Sequence, residues 1–117
     1  MNLSYTIQFD DPVVIYNLEG KIITDPDFES LEREVFDQMN KNYYRVVFDL
    51  DKLTHTNSSG IAFFMRTLTK ARIMGGELIL INLKGNVEKI FQVAKLTEVY
   101  TICDNLEQAT QHFKDLQ

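Results

Sequence analysis

Two short apolar runs separated by one amphipathic stretch constrain the fold of this 117-residue chain more than any other feature. Residues 46–50 and 78–81 are almost entirely apolar, as strands covered on both faces of a sheet are. Between them, apolar residues recur at helical spacing from 58 to 74, and Gly75 and Gly76 end the pattern. A strand, a helix and a strand in this order predict a right-handed parallel crossover, so we expect an α/β fold.

The flanking segments predict two strands and a helix before this unit, and two helices and a strand after it. Residues 3–9 alternate between apolar and polar side chains, which indicates a strand with one solvated face. Asp25 and Pro26 are typical of a helix start, because Asp can cap the first amides and Pro fits the first turn. The other expected elements are a hairpin strand over 13–18, an end of the first helix near 40–42, a loop over 52–57, a helix capped by Asn86, a strand over 98–103 and a helix capped by Asn105. The order β-β-α-β-α-β-α-β-α predicts a mixed sheet of about five strands covered by about four helices, in a single domain over residues 1–117.

Charge and cysteine content narrow the classes of partner. Twelve Lys and Arg against seventeen Asp and Glu give a net charge of −5, so we expect no binding to nucleic acid. No apolar run approaches the roughly twenty residues that span a bilayer, and we expect no direct insertion into a membrane. Cys103 is the single cysteine, and the N-terminus lacks a basic segment followed by an apolar run. These features predict a cytoplasmic protein.

Few side chains could support catalysis or hold a cofactor. His55 and His112 show no metal-ligand spacing with each other or with Cys103, so we expect no metal site. The paired glycines before the second apolar run match no phosphate-binding motif. The serines at 58–59 do not match G-x-S-x-G, the pattern of a serine nucleophile on a strand-to-helix turn. We therefore expect no catalytic residues, no cofactor and no enzyme activity.

The segment Asn57-Ser58-Ser59-Gly60 opens the middle helix and allows two interpretations. Asn and Ser are preferred helix caps, so the segment could serve as a cap alone. Two adjacent hydroxyls exceed what one cap requires, however, and Gly60 would leave the first turn bare, so that another protein could approach it closely. A helix N-terminus also favours negative charge, which makes a phosphoserine compatible with this position.

The chain resembles the STAS domains, in the branch of anti-sigma factor antagonists that are phosphorylated on serine. The resemblance covers almost the whole chain, and its specific part is the buried strand followed by the serine-serine-glycine turn. Asn57 stands where the family usually has Asp, and His55 and Thr56 stand where it usually has an apolar pair. The residues that carry the resemblance are 18–20, 45–50, Leu53, 57–61, 75–80, Val87 and 107–109.

The resemblance implies a regulatory binding protein with a STAS-like mixed sheet. An unmodified antagonist of this family binds an anti-sigma factor that is also a serine kinase, and phosphorylation of the serine before the glycine ends the binding. That serine corresponds to Ser59, with Ser58 as the fallback. The alternative is a STAS domain that is never phosphorylated and docks onto a lipid-transporting ABC system or a stress-sensor assembly. Other STAS domains are attached to anion transporters, which a free-standing chain would exclude.

The partner surface is expected around the serines and along the middle helix. Helical spacing places Phe63, Arg66, Thr67 and Lys70 on the face away from Ile61, and an outward Phe beside an Arg is typical of an interface centre. Packing of Phe63 under another helix is the equally weighted alternative, since aromatic side chains are mostly found in cores. The predicted contact residues are Asp25, Asn57, Ser58, Ser59, Gly60, Ile61, Phe63 and Arg66.

Overall fold

An antiparallel hairpin begins a sheet to which every later strand is added in parallel. The computed structural model describes residues 2–116. Its elements are β1 (Leu3–Asp10), β2 (Val13–Lys21), α1 (Pro26–Asn40), β3 (Arg45–His55), α2 (Ser58–Ile73), β4 (Glu77–Ile81), α3 (Gly85–Val93), a 3-10 turn (Leu96–Glu98), β5 (Thr101–Cys103) and α4 (Leu106–Asp115). The sheet has five strands in the order β1-β2-β3-β4-β5, so spatial order follows chain order. The predicted order of strands and helices is confirmed, as is the parallel pairing of β3 with β4.

The third strand is longer than its apolar run indicates. β3 continues to His55, where a loop over 52–57 is predicted, and that prediction is wrong for 52–55. The extension pairs with the end of β2, with Lys52 beside Glu19 and Leu53 beside Gly20. Leu53 is buried among polar neighbours, so this part of the strand is held by backbone pairing to β2 more than by an apolar pattern.

Smaller boundaries also differ from the predictions, and β2, expected over 13–18, continues to Lys21. The last strand covers only Thr101–Cys103, because Leu96–Glu98 form a 3-10 turn in place of the expected strand start. The third helix begins at Gly85, one residue before the predicted cap Asn86, and the capping position falls to Lys84 without a side-chain bond. Short polar segments carry little periodicity, which is why such boundaries are poorly determined locally.

Alternation along the central strands divides the core between the two faces of the sheet. One face packs against α1, α2 and α3, and the other packs against α4. On β2, for example, Val14 and Tyr16 belong to the first core and Val13 and Ile15 to the second. Both faces of the inner strands are therefore covered, as the two continuous apolar runs predict. Within residues 2–116 no helix combines the length and apolarity needed to cross a bilayer.

Tyr16 places an unpaired hydroxyl inside the larger core. Its side chain is fully buried, and its ring packs edge-on against Phe48 with centroids 5.8 Å apart. The hydroxyl forms no hydrogen bond with any group of residues 2–116. Burial, and secondarily the nearby carboxylate of Glu34, raises the pKa of this phenol well above its usual value. The hydroxyl contributes no bond here and bears a desolvation cost.

Replacing Tyr16 by Phe is expected to stabilise the fold, because the substitution removes a buried hydroxyl and keeps the ring. The free energy of unfolding in urea should rise by about 1 kcal/mol. Tyr100→Phe is the matched control, since the Tyr100 hydroxyl donates to the carbonyl of Ile61 at 3.2 Å and its loss should lower the free energy. A Tyr16→Phe variant destabilised as much as the control would show that the Tyr16 hydroxyl is bonded.

Candidate functional site

Asn57 joins the start of α2 to the loop between β2 and α1. Its backbone is extended, and its side-chain oxygen accepts a hydrogen bond from the Gly60 amide at 2.9 Å. The side-chain nitrogen donates to the carbonyl of Ile23 at 2.6 Å. The predicted cap is confirmed, and the amide side chain adds a second bond. Ionised Asp, the usual residue at this position in the domains that the chain resembles, could make the first bond but not the second, because it has no donor.

Asp27 holds the same loop from the other side. One carboxylate oxygen accepts hydrogen bonds from the amides of Ile23 at 2.9 Å and Thr24 at 3.0 Å. The other oxygen faces the Asn2 amide at 3.4 Å. These bonds, led by the one to Thr24, lower the pKa of Asp27 to about 2 although the residue is only 8% exposed. Both backbone groups of Ile23 are therefore bound by side chains, the amide by Asp27 and the carbonyl by Asn57.

The capping role predicted for Asp25 is wrong. Asp25 has helical backbone angles and forms no side-chain cap bond, whereas Asp27 inside the first turn reaches back to the preceding amides. The sequence did carry a signal for this arrangement. Thr24 and Asp27 have the Thr-x-x-acid spacing of a capping box, in which the acid returns to the amide three residues before it.

Gly60 allows close packing in the interior and does not leave a bare outer surface. The residue is buried, and a Cβ added there would collide with the hydroxyl of Thr56 and lie 3.0 Å from Cγ2 of Ile22. The missing side chain allows the first turn of α2 to pack against the end of β2. The bare surface predicted at Gly60 is therefore wrong, because the open side of the glycine is filled by the protein itself.

The two serines occupy different environments in the first turn of α2. Ser58 is exposed, whereas Ser59 is half-buried and lines a groove of about 210 Å³ between α1 and α2. The residues lining this groove, here called the serine groove, are Asp25, Phe28, Glu29, Glu32, Ser59, Ala62 and Arg66. The structure thus brings three of the predicted contact residues together: Asp25, Ser59 and Arg66.

Carboxylates dominate the electrostatics of the serine groove. Asp25, Glu29 and Glu32 contribute negative charge, and Arg66 contributes the one positive charge among the lining residues within 2–116. The Arg66 guanidinium forms a fork with Glu32, with Nε–Oε2 at 2.7 Å and Nη2–Oε1 at 3.1 Å. It also lies 6.0 Å from the centroid of the Phe28 ring. The hydrogen bond to Glu32 raises the pKa of Arg66, so the guanidinium keeps its charge.

Phe63 lies in the core, so its predicted outward placement is wrong and the packed alternative is confirmed. The side chain is fully buried and stacks on Phe28 with centroids 5.1 Å apart and planes 5° apart. Thr67, also expected outward, is fully buried and donates its hydroxyl to the carbonyl of Phe63 at 3.0 Å. Both corrections have one cause: α2 packs against the sheet and against α1, so two of its faces are covered. Ile61, expected inward, is only half-buried.

The remaining candidate side chains lie apart from this groove. His55 ends β3 with an exposed side chain whose Nδ1 lies 2.9 Å from the hydroxyl of Thr54. His112 lies in α4, on the opposite face of the sheet. Cys103 is half-buried in β5, where burial and then the charge of Asp104 raise the pKa of its thiol. A raised pKa disfavours the reactive thiolate.

Comparison with known proteins identifies the family. The family model described as "STAS domain" matches residues 4–109. The chain belongs to the STAS domain family. Among relatives of this STAS domain, BtrV of Bordetella bronchiseptica, provisionally named an anti-sigma factor antagonist, is 29% identical over 112 residues, covering 96% of each chain.

Solved structures share the fold of this STAS domain. A protein of Thermotoga maritima, provisionally titled an anti-sigma factor antagonist, aligns with a TM-score of 0.83 at 21% identity, covering 94% of both chains. The anti-sigma factor antagonist SpoIIAA in its unphosphorylated form aligns with a TM-score of 0.81 at 17% identity, covering 96% of this chain and 97% of that one. The phosphorylated form of Bacillus SpoIIAA aligns with a TM-score of 0.73 at 16% identity, covering 93% of this chain and 98% of that one.

Asp27 should make the stability of this STAS domain depend on acid pH. Its pKa falls from 3.8 to about 2 on folding, so its stabilising effect is complete above about pH 4 and is lost as the pH falls toward 2. Asp27→Asn should therefore lower the urea midpoint at pH 7, and the difference from the wild type should shrink below pH 4. Asp25→Asn is the matched control, since its side chain caps no amide, and it should leave the midpoint at pH 7 nearly unchanged. A pH-independent effect of Asp27→Asn would contradict this assignment.

Asn57→Ala should lose both bonds of the Asn57 side chain and lower the free energy of unfolding by about 1–2 kcal/mol. Asn57→Asp keeps the acceptor for Gly60 and adds charge at the helix N-terminus, so it should lose less. Chemical denaturation of the three proteins measures the difference. Equal stability of Asn57→Ala and the wild type would show that the cap contributes nothing.

Proposed function

We propose that this STAS domain is an anti-sigma factor antagonist, a binding protein and not an enzyme, that acts in the cytoplasm. The name of the relative BtrV supports this assignment, as do the fold neighbours. The observation that carries the proposal is the position of Ser59, half-exposed in the first turn of α2 and within a groove lined by carboxylates. A hydroxyl in this position can be reached by a second protein and can alter the surface charge when it is modified.

The proposed docking surface is the start of α2 together with the adjoining loop before α1. It comprises Asp25, Asn57, Ser58, Ser59 and Arg66, all of which have exposed or half-exposed side chains. Phe63 and Gly60 are omitted because they are buried, and Ile61 contributes only its half-exposed edge. The bonds of Asn57 and Asp27 to Ile23 hold this surface in one conformation, which reduces the conformational entropy lost on binding.

The partner is an anti-sigma factor that also acts as a serine kinase, and Ser59 is the phosphoacceptor. The hydroxyl oxygen of Ser59 attacks the γ-phosphorus of ATP, the bond from that phosphorus to the oxygen retained by ADP breaks, and the hydroxyl proton passes to a base of the kinase. The phosphate adds about −1.5 to −2 charges at pH 7. Because the groove already holds three carboxylates, this charge opposes docking by repulsion and by its cost of desolvation.

Ser59 is preferred over Ser58 because of the surface that each one alters. Ser59 lines the serine groove, so a phosphate there changes the potential of the groove directly. Ser58 is exposed and does not line the groove, so a phosphate there would be better screened by solvent. Ser58 is the fallback acceptor if the kinase modifies the other serine of this turn.

Phosphosite mapping with the native kinase tests the assignment. Incubation with ATP should modify the wild type and Ser58→Ala, whereas Ser59→Ala should remain unmodified when analysed by mass spectrometry. The phosphorylated wild type should bind the anti-sigma factor about a thousandfold more weakly, which corresponds to about 4 kcal/mol. Ser59→Asp should weaken binding in the same direction and by less, since Asp carries a smaller charge.

Two results would contradict this proposal. Full modification of Ser59→Ala would move the acceptor to Ser58 or elsewhere. Purification of the native complex with a transport ATPase or a sensor assembly, and without an anti-sigma factor, would favour a docking subunit that is never phosphorylated.

A further inference from the structure

The serine groove contains one cation, and that cation is already engaged. Of the side chains that line the groove within residues 2–116, Arg66 alone is positive, and its guanidinium forks onto Glu32. A phosphate on Ser59 would enter this groove facing the carboxylates of Asp25 and Glu29 as well. Among the charged side chains that line the groove, only the Arg66 guanidinium attracts it, because the carboxylates repel it.

Separation of the Arg66–Glu32 ion pair should cost little free energy. The Arg66 side chain is 48% exposed and that of Glu32 is 21% exposed, so water screens the pair and would hydrate either group after separation. The Phe28 ring lies beneath the guanidinium and provides a surface over which it can shift without leaving the groove. Ser59 and Arg66 are seven residues apart on α2, about two turns, and therefore lie on the same side of the helix.

We infer that Arg66 is the phosphate-binding residue of the modified protein: on phosphorylation of Ser59, its guanidinium leaves Glu32 and binds the phosphate. This inference rests on the proposed modification of Ser59. The planar fork that now grips a carboxylate matches two phosphate oxygens equally well, and a phosphate carrying nearly two charges attracts it more strongly than a carboxylate does.

The exchange of partners would also change the surface charge along α1. Glu32 would lose its counter-ion, and its carboxylate also lines the next part of the α1–α2 surface, with Arg33, Phe36 and Asp37. Negative charge would therefore appear both at Ser59 and nearly two turns into α1 from its start. Acidic groups of a docked protein would be repelled over a wider area than one phosphate covers. The exposed ion pair between α1 and α2 would also be lost.

The test uses the full chain with phosphoserine inserted at position 59 during translation, so that no kinase is required. The second pKa of the phosphate, ordinarily about 6, is read by 31P NMR titration. Arg66→Gln should raise this pKa by about one unit, because it removes the cation and leaves the carboxylates. Arg33→Gln is the matched control: it removes the same charge from α1 outside the serine groove and should leave the phosphate pKa unchanged.

A second measurement separates direct binding from a diffuse charge effect. The 15N resonance of Arg66 Nε should shift with the titration of the phosphate in the phosphorylated chain and should stay constant over the same pH range in the unmodified chain. Arg66→Lys keeps the charge and loses the fork, so its phosphate pKa should lie between those of the wild type and Arg66→Gln. In the phosphorylated chain, Glu32→Gln should lower the phosphate pKa further, because no carboxylate then competes for the guanidinium.

The inference is overturned if Arg66→Gln and Arg33→Gln change the phosphate pKa equally, or if the Arg66 Nε resonance does not follow the phosphate. Failure of the proposed function has a different signature. A native kinase that does not modify Ser59 would contradict the proposed switch, whereas the titration of the translated phosphoserine chain would still report whether Arg66 binds the phosphate.

Discussion

The hydrogen bonds of Asp27 and Asn57 to the peptide between Ile23 and Thr24 are the constraint on which the proposed docking surface depends. Asp27 accepts from the Thr24 amide and Asn57 donates to the Ile23 carbonyl, so the peptide between these two residues is bound by a side chain on each side. The loop before α1 and the first turn of α2 therefore behave as one unit, although more than thirty residues separate Ile23 from Asn57 along the chain.

The double packing of α2 determines which side chains can meet a partner. The helix contacts the sheet through Phe64 and Leu68 and faces α1 through Phe63, which stacks on Phe28. Only a narrow exposed strip remains, and it runs from Ala62 through Arg66, Thr69 and Ile73. A surface of this shape places Arg66 next to the serine groove and limits the number of charges that can respond to a modification there.

Local pattern predicted the architecture well because the strongest signals were long and periodic. The order of strands and helices, the hairpin and the Asn57 cap all follow from apolar spacing or from side chains acting within three residues. The extension of β3 to His55 is not predicted by its sequence, because this part of the strand is stabilised by pairing with β2. The role of Asp27 differs for another reason: Asp25 beside Pro26 gives a competing cap signal, although the spacing from Thr24 to Asp27 is that of a capping box.

The sequence by itself determined the fold class, the identity of the helix cap and the two adjacent serines that mark the family. Tertiary structure alone decided that Phe63 and Gly60 face inward, because their environment is supplied by α1 and by the end of β2, which are distant along the chain. It also decided that Ser59 shares a groove with Glu32 and Arg66. Helical periodicity states which residues share a face, but the number of faces a helix buries depends on how many neighbours pack against it.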